Sequence, residues 1–400
     1  MNIAPINNHL SKTRNLSPIL IKRINSSPSF GDIDGDRIIL GPKIKPHEIR
    51  ALSPEWDKLR AQGKLLLSKR SKLYEHGKNL IQEGYIMKHR TQELQVKAQT
   101  LSKESQVIYD EAFSLLEDAI KHDFQTYRNK DRSQYWSKRE IERSWDGTTI
   151  TEYDDEDEGE VLRRVKISDD KVKYEKMNYF SGAVTEYVFD RDSRQLTSLT
   201  IGKKDRLRGG YDAEELYTYD CDGNLFEYAK DYEITKNADV SADQYYIFDS
   251  KHIKTFYLNY YSGGSPHTTS ASKVLEFANG EFIKANIFYR DITDKETRIG
   301  DQYLHDTHGN ITTYAHKLKQ EGNGLTSAEH VFGFKSGVVD SILVDYKAFS
   351  QNGTASAKKK YTVGNYGHNI TSCSVNNQGL FGANHQINDC MSEKIATYGY

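Results

Sequence analysis

The chain has 400 residues, a formal net charge of -2 and 28% charged side chains, a balance that excludes the strongly basic field of a nucleic-acid-binding domain. No run approaches the ~18 apolar residues that a membrane-spanning helix needs, and three cysteines are too few for a disulfide framework. The 27 Tyr and 15 Phe against 7 Pro favour extended sheet, because aromatic side chains suit a pleated surface and proline does not.

In chain order, residues 1–50 are rich in Asn, Ser, Ile, Pro and Lys without sustained periodicity, and read as a flexible polar leader. Their composition resembles the leaders of bacterial proteins injected into host cells. The resemblance implies secretion without a cleaved general-pathway signal peptide and delivery into a host cell, the alternative being a cytoplasmic protein. A helical region is expected over residues 51–135. There Leu59, Leu66, Leu73, Leu80, Met87, Leu94, Leu101, Ile108 and Leu115 recur every seven residues. Three residues before each stand Trp56, Gly63, Arg70, Gly77, Gly84, Thr91, Ala98, Ser105 and Ala112. A leucine row beside a row of small residues predicts a left-handed coiled coil, or a helical hairpin folded near Gly77 to Gly84. Each glycine weakens an isolated helix by about 1 kcal/mol, so the segment needs a partner, and the leucine row is expected to be buried against another helix. Residues 136–160, which include Glu152, Asp154, Asp155, Glu156, Asp157, Glu158 and Glu160, read as an acidic linker.

Over residues 161–385 the period changes to two. Segments beginning at Ala213, Ala242, Ala271, Gly300, Ala328 and Ala357 align at intervals of 28 or 29 residues. Each runs into a turn, as at Asp222-Gly223, Ser250-Lys251, Asn279-Gly280, His308-Gly309 and Ser336-Gly337, and a strand returns from Leu225, Ile253, Phe282, Ile311, Val338 and Ile370. Weaker units near Val165 and Tyr187 bring the array to about eight hairpins. An isolated hairpin is marginal in water, so neighbours are expected to pair into one antiparallel sheet with glycines 223, 280, 309 and 337 at its turns. Residues 386–400 form a tail. The unit Tyr217-Thr-Tyr219-Asp220-Cys-Asp-Gly223-Asn224-Leu225 resembles the YD (Rhs-type) repeat of bacterial toxin-associated proteins, and Tyr303, Asp306, Gly309, Asn310 and Ile311 match it in part. The longer period and the missing Tyr-Asp pair in most units depart from that pattern. The resemblance implies hairpins stacked into a continuous sheet. The expected fold class is α+β: a long helical or coiled-coil segment, then a tandem array of about 29-residue β-hairpin repeats forming an extended antiparallel sheet.

Candidate chemistry is sparse. Asp220, Asp222 and Asn224, like Asp32, Asp34 and Asp36, have alternate-oxygen spacing suited to a hard cation, but lack the glutamate that completes an EF-hand, and turn chemistry explains them. His368, Cys373, His385, Asp389 and Cys390 supply the types needed for a Cys-His nucleophile or a metal site, in no established zinc spacing. Glu156-x-Glu158 lacks the upstream residues that accompany such a pair in ADP-ribosyltransferases. Lys358, Lys359 and Lys360 add local positive charge, and Asn310 and Asn369 begin glycosylation sequons. Phosphate-loop, dinucleotide and serine-hydrolase motifs are missing, so no catalytic, cofactor-binding or metal residue is assigned and no cofactor is expected. The sequence points to a non-enzymatic binding or scaffold protein, a bacterial secreted effector or toxin-associated protein. Its helical region would associate with itself or a protein partner, and its β-repeat surface would serve recognition. The alternatives are an effector enzyme with a site in the C-terminal Cys/His segment, and an oligomeric fibre or spike component.

Overall fold

The computed structural model describes residues 46–121, 126–128, 136–154, 159–207, 209–263, 268–292, 296–349, 354–364 and 366–378, all within the larger of two compact units, Arg37–Tyr400. The helical region is two segments, α1 (Pro46–Leu67) and α2 (Arg70–Lys121). Proline suits the first helical position, where its missing amide would have no partner. The segments meet at a tightened turn, where the Lys69 amide donates to the Leu66 carbonyl at 3.1 Å and the Leu73 amide resumes the ladder with Lys69 at 3.1 Å. At the far end the Arg143 guanidinium donates to the Ala119 carbonyl at 3.0 Å and so satisfies one of the terminal orphan acceptors.

Among the described residues nineteen strands follow: β1 (Thr126–Arg128), β2 (Lys138–Ser144), β3 (Gly147–Tyr153), β4 (Val161–Ile167), β5 (Lys171–Met177), β6 (Val184–Asp190) and β7 (Leu196–Asp205). They continue as β8 (Gly210–Tyr219), β9 (Leu225–Thr235), β10 (Val240–Asp249), β11 (His252–Gly263), β12 (Thr268–Ala278) and β13 (Glu281–Ile292). The last six are β14 (Glu296–His305), β15 (Ile311–Glu321), β16 (Leu325–Lys335), β17 (Val338–Phe349), β18 (Thr354–Gly364) and β19 (Asn369–Gln378). Each strand pairs antiparallel with the next, so the sheet is a continuous meander. Strands β2 and β3 occupy most of the stretch that composition marks as an acidic linker. Their charged residues disguised the alternation, because Arg139 and Glu152 are buried alongside Ile141 and Ile150.

Glycines 223, 280, 309 and 337 sit at the hairpin turns with φ between 76° and 78°, as their sequence context predicts. A second set of left-handed residues lies inside the strands. Gly202, Asp231, Asn259, Phe288, Lys317 and Asp345 have positive φ inside β7, β9, β11, β13, β15 and β17. The ladder skips them: Ala213 pairs with Tyr232 and Glu215 with Lys230, leaving Asp231 between. Small apolar clusters join residues on both sides of this line, such as Ala229 with Tyr232, Ala315 with Leu318 and Leu343 with Tyr346.

The main core lies between the helices and one face of the sheet. A hairpin contributes two side chains from each strand: Tyr217, Tyr219, Leu225 and Tyr228 in one, Phe332, Phe334, Val339 and Ile342 in another, all buried in the same cluster as Leu80, Ala98 and Ala112. The helix meets this aromatic surface through its small residues. Gly63 lies on Tyr361 and Ile370, Gly77 on Ile311 and Tyr303, and Gly84 on Phe282, where an added Cβ would stand 2.6 Å from the ring. Thr91, Ser105 and Ala119 are buried on the same line. The helix packs against this chain's own sheet and not against the second helix that the leucine row predicts, and α2 runs unbroken through Gly77 and Gly84, so no helical hairpin folds there. Of the leucine row only Leu80, Leu94 and Leu115 are buried, and Leu59, Leu66, Leu73 and Leu101 flank the seam half-covered. Large rings on the sheet leave the helix backbone room to approach only along its narrowest stripe.

Candidate functional site

One register line across the helix-facing side carries polar groups: Glu215 pairs with Lys230, Lys230 with Gln244, Leu258 with Lys273, Asp301 with His316, His316 with His330 and Val344 with Lys359. The helix residue just before each small position faces this line. Lys97 donates to Glu215 at 2.8 Å, Lys273 to Glu83 at 2.7 Å and Lys359 to Gln62 at 2.7 Å. Burial alone would raise the Glu215 carboxyl, but the Lys97 ammonium and the Tyr217 and Tyr228 hydroxyls hold it below its ordinary value. The aromatic rings beside the line bond the helix as well, Tyr219 donating to the Ala98 carbonyl at 3.1 Å. Burial pushes the Tyr246 hydroxyl up to about 12, which keeps it a phenol and a donor.

The line ends in a buried ionic network. Glu152, fully covered, accepts from Arg139 at 2.7 and 2.9 Å and from Arg163, which also bonds Glu111 of α2. Trp136 covers the Arg139 guanidinium at 4.4 Å. Two guanidiniums on one carboxylate satisfy its lone pairs, the condition under which a buried charge is tolerated. The arrangement anchors the end of α2 to β2, β3 and β4.

Histidines gather at the other end. His316 Nδ1 lies 2.6 Å from Asp301 Oδ1, the Tyr314 hydroxyl donates to the same carboxylate at 3.0 Å, and the His316 and His330 rings are 6.1 Å apart. Burial lowers the His330 pKa, with Glu329 opposing it and Lys69 adding to it. His368 Nδ1 faces Arg70 Nη2 at 2.8 Å.

The residues that sequence reading singled out are not brought together. Cys373 is buried among Tyr361 and Ile370, and burial raises its thiol, the opposite of an activated nucleophile. His368 faces the helix, and His385, Asp389 and Cys390 lie outside the described residues, as do Asp32, Asp34, Asp36, Glu156 and Glu158. Asp220 uses its carboxylate within the turn, accepting from the Asp222 amide at 2.9 Å and the Asn224 amide at 2.8 Å. Asp306 does the same for His308 and Asn310, which ties the Asn310 side chain to the turn. Among the described residues no group of three His, Cys, Asp or Glu is placed to hold a metal ion. The three lysines diverge, Lys358 toward Asp345, Lys359 toward Gln62, and Lys360 in register with Leu343 and Ser374. No described helix is long and apolar enough to cross a membrane.

The sheet face turned from the helices has its own register line: Thr218 with Glu227, Ile247 with Thr255, Glu276 with Lys284, Ser341 with Thr362. Strand alternation places these residues opposite Tyr217, Tyr246 and Tyr361, and they are largely half-exposed. Sequence reading missed the line because hydroxyl and charged residues between aromatics carry no motif. No protein-family model matches the chain, and no curated protein matches it.

Proposed function

We propose that this is a non-enzymatic binding scaffold made of hairpin units about 29 residues long, each bound to one helical heptad, and that the open face of the sheet is its recognition surface. A heptad rises ~10.5 Å and two strands span ~9.6 Å, so successive small positions fall on successive hairpins with little drift. The observation that carries the reading is the consumption of the inward helix stripe, Gly63 through Ala119, by the chain's own sheet. That leaves the face lined by Thr218, Thr255 and Ser341 as the long regular surface. Association through the heptad seam is not part of the proposal. The YD-type likeness of the Tyr217 unit and the effector-like composition of the first fifty residues favour a bacterial secreted effector or toxin-associated protein as the setting.

Photo-crosslinking residues placed at Thr218, Thr255 and Ser341, and at the exposed helix positions Gln82 and Lys103, test this in a host cell. Discrete protein adducts are expected from the sheet positions alone and should survive Cys373→Ser. Equal labelling from both faces, or loss of adducts in Cys373→Ser with folding intact, would refute the scaffold reading and favour an enzyme using that segment.

A further inference from the structure

The left-handed line changes what the open face carries. Residues two apart on a strand normally share a face, so alternation alone would turn Tyr232 toward the helices with Lys230, and Tyr260 with Leu258. Asp231 (φ 51°) and Asn259 (φ 52°) stand between and turn the strand over. Tyr232 is accordingly buried in one cluster with Ala229, on the side away from the helices, and the Tyr260 ring stacks on Tyr245 at 4.6 Å and 14°. Tyr245 follows simple alternation and lies opposite Tyr246, which is buried in the helix-facing core. In β13 Phe288 holds φ 58° just before Tyr289, a strain that its exposed ring does not offset.

The result is a corrugated aromatic platform across β9–β13. Tyr232 and Tyr260 flank Ala242 in register, and Tyr289 is paired with Ala271, so each ring stands beside a small side chain. Tyr257 joins the group 5.2 Å from Tyr260 at 61° and 6.1 Å from Tyr245. Adjacent strands ~4.8 Å apart make the platform ~19 Å wide, the reach of about six extended residues. Carboxylates edge it. Glu227 is in register with Ile247, one step along the same face from Tyr245, and accepts from Thr218 at 3.4 Å. Asp291 accepts from Tyr289 at 3.5 Å and from Thr297 at 3.3 Å. Among the described residues neither is paired with a cation, whereas Glu276 is bound to Lys284 at 2.6 Å. Burial, with Glu276, Tyr260 and Asp291 adding to it, pushes the Tyr257 hydroxyl up to about 12, so it stays a neutral phenol.

We propose that this platform binds an arginine-bearing extended segment of a partner protein, with guanidinium groups lying on the rings of Tyr245, Tyr257 and Tyr260 and donating to Glu227 and Asp291. The inference rests on the open face being the recognition surface, and names the partner chemistry that face selects. A ring face attracts a cation through its quadrupole, and a half-buried carboxylate without a counter-ion is completed by one. Arginine fits better than lysine, because its plane stacks on a ring while its fork bonds a carboxylate. The same carboxylates repel a phosphate backbone, which sets nucleic-acid bases aside as the ligand of these rings.

Fluorescence anisotropy of labelled peptides of about ten residues, titrated with the full chain, tests this; the probe alternates Arg with Ser, and Lys-Ser and Glu-Ser peptides are the controls. The Arg-Ser peptide should bind saturably, more tightly than Lys-Ser and more weakly as salt rises, while Glu-Ser does not bind. Tyr245→Leu with Tyr260→Leu should weaken binding about tenfold or more, and Glu227→Gln with Asp291→Asn should weaken it and flatten its salt dependence. Should the tyrosine variant fold poorly, the carboxylate variant, whose two side chains are half-exposed, decides. Absence of Arg-Ser binding, equal binding of Glu-Ser, or undiminished affinity in a folded variant would each overturn the proposal. The scaffold reading is separable: host-cell adducts at Thr218, Thr255 and Ser341 that persist beside a failed peptide leave it standing, and their absence from the unaltered chain overturns both.

Discussion

At the scale of single residues, the left-handed line shows where local preference and fold disagree. Asp231, Asn259 and Asp345 tolerate positive φ better than most, and Gly202 adopts it freely. Phe288 does not: it holds φ 58° with its ring 72% exposed, so little packing offsets the strain. Phe288→Asn should therefore stabilise the protein by about 1 kcal/mol, seen as a higher denaturant midpoint at unchanged slope. A lower midpoint would show that the ring does structural work its exposure conceals. This line was illegible in sequence because four of its six positions hold common αL residues that alternation rules read as ordinary turn or surface, and Phe and Lys announce nothing. The turn glycines were legible, since Gly223 and Gly309 follow Asp220 and Asp306 in a spacing that requires a positive φ.

Among elements, the helix and the hairpin explain each other. The heptad rows were plain in sequence, but a stripe of small residues beside a stripe of leucines fits a helix partner and an aromatic sheet equally well. What decides is size, for Tyr303, Phe282 and Tyr361 stand where a partner helix would present leucines. Strands β2 and β3 stayed hidden for a related reason: their inward positions are charged, and only the mutual pairing of Arg139, Glu152 and Arg163 makes burial tolerable. Leu80→Ala should cost ~2–5 kcal/mol and Leu101→Ala less, because the first is buried and the second half-covered. Both losses should be independent of protein concentration, as expected when the packing partner belongs to the same chain; a dependence in equilibrium unfolding would indicate a second chain. The Glu215 contact adds a pH signature. Its carboxyl is held below its ordinary value in the folded state, so its stabilisation is present above that value and lost as pH falls through the folded one. Lys97→Met leaves burial to dominate, and acid unfolding should begin at a higher pH; an unmoved onset would mean that Lys97 contributes nothing measurable.

Across the whole molecule, the meander joins each strand chiefly to its neighbours, and the helix is what connects distant hairpins. It is bonded to Gly367 near one end of the sheet and to Arg163 and Arg143 near the other. That makes the seam the central claim, and its glycines the sharpest test. In a helix that is exposed or packed loosely, Gly→Ala stabilises by about 1 kcal/mol per site through propensity alone. Here an added methyl at Gly63, Gly77 or Gly84 would run into Tyr361, Ile311 or Phe282. Equilibrium denaturation of the Gly63→Ala, Gly77→Ala and Gly84→Ala variants, singly and combined, should show each single change destabilising by ~1–3 kcal/mol and the triple change by more than any one of them. Stabilisation that grows with each alanine would contradict the seam, and with it the matching of one heptad to one hairpin.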